Sequence, residues 1–214
     1  MKVDLYFAAG SCAFAALIAL EESGLSYEPR RLDLAAGQQR SHEFLAINPR
    51  GRVPTLVIDG EPIAENIAVL TTIAHLSPAA RLLPFGDPLA LGRAYSLMSW
   101  FASGIHVTIA QLWRSERFTA DPLGQQALRA AAPGRLQEAF DELESRITGA
   151  WLLGSEFSVV DGYAGVFHRW ASGRLGMDMA RYPKWNGFMD RLMARPTVHR
   201  ALAKEGETPL LEVA

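Results

Sequence analysis

The chain has 214 residues, which at about 150 residues per domain allows one large unit or two small ones. Its 21 basic and 23 acidic residues leave a formal net charge of −2, so no basic surplus exists to neutralise a run of phosphates, and neither nucleic acid nor an anionic membrane is an expected partner. With 49% hydrophobic and 21% charged residues, the composition is that of a folded globular protein.

The single cysteine, Cys12, rules out an intramolecular disulfide and any metal site built from several thiolates, and it suits a reducing cytoplasm. Asp4 interrupts the apolar start and the apolar runs fall short of the roughly 20 residues a membrane helix needs, so no export signal or membrane span is expected. His42, His75, His106, His168 and His199 show no ligand spacing, and no metal is expected.

In chain order, Val3, Leu5 and Phe7 alternate with Asp4 and Tyr6, the period of a strand over residues 2–7. A short turn, Ala8 to Ser11, leads into an apolar helix from Cys12 that ends at Gly24. Tyr27 to Leu34 read as a second strand, and the helix between the two makes a right-handed βαβ unit with parallel strands. Ser41 to Ile47 predict a short helix stopped by Asn48-Pro49. Arg52 to Ile58, the turn pair Asp59-Gly60 and Glu61 to Ala64 predict a β-hairpin, and a further helix begins at Glu65-Asn66 and reaches Ser77 before Pro78.

The order βαβαββα thus fills residues 1–80. Pro84, Gly86 and Pro88 mark residues 79–88 as a linker, after which 89–214 read as an all-helical domain. Its helices are expected over 89–117, 123–148, 158–175 and 184–194, with a short one after Pro196. Pro133-Gly134 is expected to kink or split the second. Ser158-Val-Val-Asp161 reads as a capping box with a role in folding.

Four places carry candidate chemistry. Cys12 stands where a strand turns into a helix start, whose unpaired N–H groups favour a thiolate; a small buried hydrophobe is the other reading. Pro54 marks an edge, a bulge, a cis peptide or an ordinary strand start, and a cis bond would leave the Val53 N–H and C=O free for an extended ligand. Asn66 with a helix N-terminus suits a carboxylate and Glu65 an ammonium, together the amino-acid end of a ligand, although a plain helix cap also accounts for them. His106, Ala110, Trp113 and Arg117 share one helical face, with Ser103 one turn earlier, a mixture that suits the wall of an interdomain cleft; a structural histidine is the alternative.

Taken together these residues resemble the cytosolic glutathione transferases, and among them the bacterial beta class. The resemblance lies in Leu5-Tyr6-Phe7 with Gly10-Ser11-Cys12, in Asn48 to Leu56, in Glu65 to Val69, in His106 and in Phe157 to Tyr163, and it spans nearly the whole chain. It implies a thioredoxin-like α/β domain over 1–80 that binds glutathione as co-substrate, followed by the helical domain over 89–214. It further implies Cys12, Ser11 and His106 as catalytic, and Arg52, Val53, Pro54, Glu65, Asn66 and Ser103 as glutathione-binding. Trp113, Phe118 and Trp170 would form the electrophile pocket, with no metal, in a cytoplasmic homodimer. Two departures are visible: Asn66 stands where many relatives have serine, and Ala35-Ala36-Gly37 lacks an expected lysine contact to glutathione.

The implied reaction is attack of the glutathione thiolate on a small hydrophobic electrophile in detoxification. A glutathione-dependent disulfide reductase, dehalogenase or isomerase using Cys12 is the alternative enzyme, and a non-catalytic glutathione-binding protein is the third reading.

Overall fold

The computed structural model describes residues 1–208 and Leu210. Four strands, β1 (Val3–Phe7), β2 (Glu28–Arg31), β3 (Thr55–Ile58) and β4 (Glu61–Ala64), form one sheet in the order β2-β1-β3-β4. β1 runs parallel to β2, with Leu5 opposite Pro29, and antiparallel to β3, with Leu5 opposite Leu56. The β3–β4 turn places Asp59 at φ +49° and Gly60 at φ +94°, as a tight hairpin turn requires. β2 is shorter than its sequence pattern suggests because Asp33 accepts the Ala35 and Ala36 N–H groups and bends the chain out of the sheet.

Helix α1 (Phe14–Ser23) is apolar on every side over Phe14–Leu20, and all seven of those residues are buried. Such a helix needs cover all round. The sheet part covers one side, and helices from the second half of the chain cover the other. α1 begins two residues later than expected because the Ser11 hydroxyl accepts the Ala13 N–H and holds Ser11 to Ala13 in a turn. Gly24, left-handed at φ +69°, ends it. α2 (His42–Ile47) is capped by Ser41, and α3 (Asn66–Leu76) follows the hairpin.

Six α-helices follow among the described residues: α4 (Pro88–Trp100), α5 (His106–Trp113), α6 (Pro122–Arg146), α7 (Val159–Arg169), α8 (Pro183–Met193) and α9 (Pro196–Glu207). The helix expected over 89–117 is therefore interrupted by a wide π-type turn, Phe101–Ile105, in which the His106 N–H donates to the Phe101 carbonyl. It ends at Trp113, and a second wide turn, Trp170–Arg174, follows α7. α6 runs unbroken through Pro133-Gly134, against the expected split. Pro133 removes the donor for the Arg129 carbonyl, but both residues are exposed, so the lost bond falls on the solvent-facing side of the helix.

α7 and α9 pack on α1. Asp161, fully buried, accepts the Ser158 N–H and hydroxyl and the Leu152 N–H, each at 2.8 Å, which fixes the start of α7. At the far end of α1, Glu22 accepts two N–H groups of Arg195 and the hydroxyl of Thr197, and Glu21 pairs with Arg200 at 2.6 Å. One hydrophobic core thus continues from the sheet into the helices and sets the width of the cleft between them.

Candidate active site

The cleft consists of two adjoining chambers of about 490 and 780 Å³. Both are lined by Cys12, Arg52, Val53, His106, Ala110 and Arg117. Six residues from the sheet side and the helical wall, which the sequence separates by up to about half the chain, therefore meet at the junction of the chambers.

The turn after β1 presents Ser11 and Cys12. The Ser11 hydroxyl donates to the Ala8 carbonyl at 2.7 Å while accepting from Ala13, so its proton is already committed. Cys12 is buried, and its Sγ–H donates to the Val53 carbonyl at 3.5 Å. The expectation of a thiolate at a helix start is not met: burial pushes the Cys12 thiol up to about 12, and α1 begins at Phe14. Cys12 is therefore a neutral thiol whose proton is taken by the Val53 carbonyl.

Val53-Pro54 is a cis peptide. Asn48 and Thr55, both buried, hold the approach to it: the Asn48 amide donates to the Arg52 carbonyl at 3.0 Å and to the Thr55 hydroxyl at 2.9 Å, and that hydroxyl donates to the Arg52 carbonyl at 2.9 Å. Gly51, at φ +60°, has no room for a side chain, since a Cβ would stand 2.6 Å from the Gln39 carbonyl oxygen. The bend at Val53, just before β3, is thereby held facing both chambers, and Pro54 lines the larger.

Glu65 and Asn66 lie at the start of α3 on the wall of the larger chamber. Glu65 adopts φ +73°, ψ +128°, a conformation that costs a non-glycine residue about 1–3 kcal/mol. Its carboxylate is exposed and takes the Arg50 guanidinium at 3.2 Å. Asn66 is buried; its Nδ2 donates to the Cys12 carbonyl at 3.2 Å, and its Oδ1 has no hydrogen-bond partner among the described residues. Tyr163 of α7 lies against Asn66 and Cys12 on the same wall, and burial holds its phenol well above the ordinary value.

From the helical side, His106 lines both chambers. Burial first, then Arg52 and Arg117, hold its imidazole at about 4, so it is neutral at pH 7. It packs edge-on against Trp170 at 5.2 Å, and Trp170 against Trp113 at 5.5 Å. Trp113 and Trp170 line the smaller chamber, whereas Phe118, 44% exposed, lines the larger, so the three aromatic candidates do not share one pocket. Ser103 lines neither chamber: it is exposed and its hydroxyl donates to the Ser99 carbonyl. The wide turn before His106 shifts the helical register, so Ala102 takes the place on the wall that regular spacing gives to Ser103.

Several residues in or against the cleft carry no signal in the sequence for their place there. Tyr163 follows a capping box, Ser158 to Asp161, whose local signal speaks only of folding. Arg174 and Glu205 had no local signal, yet a Cβ on Gly10 would stand 3.1 Å from the Arg174 guanidinium, and the Gly10 N–H donates to Glu205 at 2.9 Å. Among the described residues no cluster of three His, Cys, Asp or Glu side chains is placed to hold a metal.

A thioredoxin-like sheet with a cis proline before its third strand, joined to a helical half across a shared cleft, defines the class. The family follows from comparison. Residues 1–75 match the family model described as glutathione S-transferase, N-terminal domain, and residues 126–191 match glutathione S-transferase, C-terminal domain. The glutathione S-transferase GST-4.5 of Xanthomonas campestris pv. campestris is 31% identical over 208 residues, covering 95% of this chain and 99% of that protein. A glutathione transferase homologue from Sulfitobacter, solved with bound glutathione, superposes with a TM-score of 0.90 at 36% identity, covering 95% and 98% of the two chains. The bacterial beta class glutathione S-transferase of Sphingomonas chungbukensis gives 0.83 at 32% identity, covering 95% and 98%. The chain belongs to the glutathione S-transferase family.

Proposed function

We infer that the protein is a glutathione transferase, with glutathione as co-substrate and its thiolate as the nucleophile. The observation that carries this reading is the single cleft into which the Val53 edge, the Glu65-Asn66 helix start and Cys12 all face, opposite His106. In the proposed arrangement Val53 pairs with the cysteinyl backbone, Glu65 takes the γ-glutamyl ammonium, and Asn66 with the α3 N-terminus takes its carboxylate.

A free thiol near pKa 8.5 is only a few per cent ionised at pH 7, and lowering it by two units amounts to about 2.7 kcal/mol of thiolate stabilisation. The neutral His106 imidazole, the positive field of Arg52 and Arg117, and the neutral Cys12 thiol, whose proton turns from the Val53 carbonyl to the bound sulfur, are the groups we assign to that task. The smaller chamber, with Ile109, Trp113 and Trp170, would take the organic part of the acceptor. A buried, protonated Cys12 favours conjugation over disulfide exchange through Cys12, because exchange needs a thiolate. We also propose a cytoplasmic homodimer active in detoxification, with the boundary between its two domains in residues 79–88; the lone free cysteine supports the reducing compartment.

The test is steady-state conjugation of glutathione to a chlorodinitrobenzene, with ultraviolet titration of the bound thiol. We expect saturable turnover, a bound thiol ionised by pH 7, and a glutathione KM raised about tenfold by Asn66→Ala. A protein that neither binds nor turns over glutathione would refute the reading.

A further inference from the structure

The cleft carries far more positive charge than glutathione accounts for. Arg31, Arg52, Arg114, Arg117 and Arg174 line the smaller chamber, with Asp33 as its one carboxylate among the described residues. The larger chamber adds Arg40 and Arg50 against Glu65, and Arg50 is the only one of these seven arginines in an ion pair among the described residues. Seven arginines face two carboxylates, a surplus of five charges. Glutathione as its thiolate has two carboxylates, one thiolate and one ammonium, a net charge of −2, which leaves three positive charges uncompensated.

That excess lies on the acceptor side. The Arg174 guanidinium stands over the Trp113 ring at 5.7 Å and beside Gly10, at the head of the turn that carries Cys12. Arg114 caps the end of α5 directly after Trp113, and Arg117 ends the short 3-10 turn that follows. The field acts within the site: Arg52 and Arg117 add to burial in keeping His106 neutral, and Arg117 is itself destabilised as a cation by burial, Arg52 and Arg114. A wholly apolar acceptor would desolvate these guanidinium groups with no return.

We propose that the acceptor is an anion: a planar electrophile bearing a carboxylate, its unsaturated or aromatic part against Trp113 and Trp170 and its carboxylate among Arg114, Arg117 and Arg174. This rests on the transferase reading above and narrows its substrate class. With an activated aryl halide, the thiolate forms the C–S bond and the halide leaves with the C–halogen pair. With an activated alkene, the π pair moves onto the conjugated carbonyl and then takes a proton from water, so that S–H adds across the double bond. In either case the carboxylate is a handle and is not consumed.

Calorimetry on the intact protein with three ligands tests the proposal: glutathione, S-(4-carboxybenzyl)glutathione and S-(4-carbamoylbenzyl)glutathione. The two conjugates match in size and differ by one negative charge. We expect the carboxylate to bind about tenfold tighter than the amide, with a gap that narrows as salt is raised. The gap should close to within about twofold in Arg114→Gln/Arg174→Gln, and partly in Arg174→Gln alone, each checked for a wild-type melting curve. Equal affinities in the wild type, or a gap that survives the double variant, overturn the proposal while glutathione binding leaves the transferase reading standing. Failure of glutathione itself to bind overturns both and is visible in its own arm.

Discussion

The Trp170 indole Nε1–H donates to the Gly10 carbonyl at 2.9 Å, so a residue of the helical half holds the turn that presents Ser11 and Cys12. The other side of Gly10 is held in the same way. Its N–H donates to Glu205 Oε1 at 2.9 Å, and Glu205 Oε2 takes the Arg169 guanidinium at 2.8 Å. Glu205 is buried and lines neither chamber, which makes it a positioning residue acting through Gly10.

Glu205→Ala leaves the Gly10 N–H and a part-buried guanidinium without their partner, and should cost about 2–3 kcal/mol of stability in urea unfolding. Well below the melting temperature, kcat/KM should fall about tenfold, because a displacement of the turn moves Cys12 relative to Val53. Glu205→Gln still offers Gly10 an acceptor and should restore most of kcat/KM but only part of the stability. Equal kcat/KM in wild type and Glu205→Ala would remove the positioning role.

His106 supplies a pH dependence whose sign is fixed by its environment. Its folded value, about 4, lies below the roughly 6.5 of the unfolded chain, so the stability is fully present above 6.5 and is lost as pH falls towards 4, where the unfolded state binds a proton that the native state refuses. Urea unfolding at pH 7.5 and pH 5 should show the wild type losing about 2 kcal/mol more than His106→Gln. Imidazole resonances of His106 should show no titration between pH 5.5 and 8. A His106 midpoint near 6.5 would contradict the buried, arginine-flanked environment.

Cys12 should behave as a buried thiol. Raised to about 12, it holds on the order of a thousandth of the thiolate that an unperturbed cysteine holds at pH 7.5. Alkylation by iodoacetamide, followed by intact mass, should be at least a hundredfold slower than for free glutathione and should become fast in urea. Cys12→Ala should keep measurable conjugation, since the nucleophile belongs to glutathione, and should lower kcat several-fold through loss of one sulfur-directed donor. Rapid alkylation of the folded protein would restore the thiolate reading of Cys12.

The parts of the site that the sequence displays are those built from neighbours along the chain. Gly10-Ser11-Cys12, Val53-Pro54 and Glu65-Asn66 each occupy a turn between adjacent elements, so the same few residues determine both the local shape and the chemistry. Charge state does not follow from such local signals: Cys12 has the position of a helix-start thiolate, but α7 and Asn66 close over it, and burial decides. Ser103 was misplaced because one wide turn shifts a helical face, and regular spacing cannot foresee it. Tyr163, Arg174 and Glu205 reach the site from α7, the turn after it and α9, and which way those helices face is settled only when they pack on α1.

Glu65 sets stability against binding at one residue. Its backbone, at φ +73° and ψ +128°, lies where a side chain is unfavourable and glycine is at ease, while its exposed carboxylate faces the chamber assigned to the γ-glutamyl group. Glu65→Gly should remove the strain but gain unfolded-state freedom worth about 0.4–1 kcal/mol, leaving the variant up to about 1–2 kcal/mol more stable. It should also raise the glutathione Kd at least tenfold, because the ammonium loses its carboxylate. Glu65→Gln, which keeps the side-chain length and the strained backbone, should weaken glutathione comparably without the gain in stability. Calorimetric Kd values and urea midpoints for the three proteins separate the two effects; a Glu65→Gly variant that binds glutathione as well as wild type would remove Glu65 from the site.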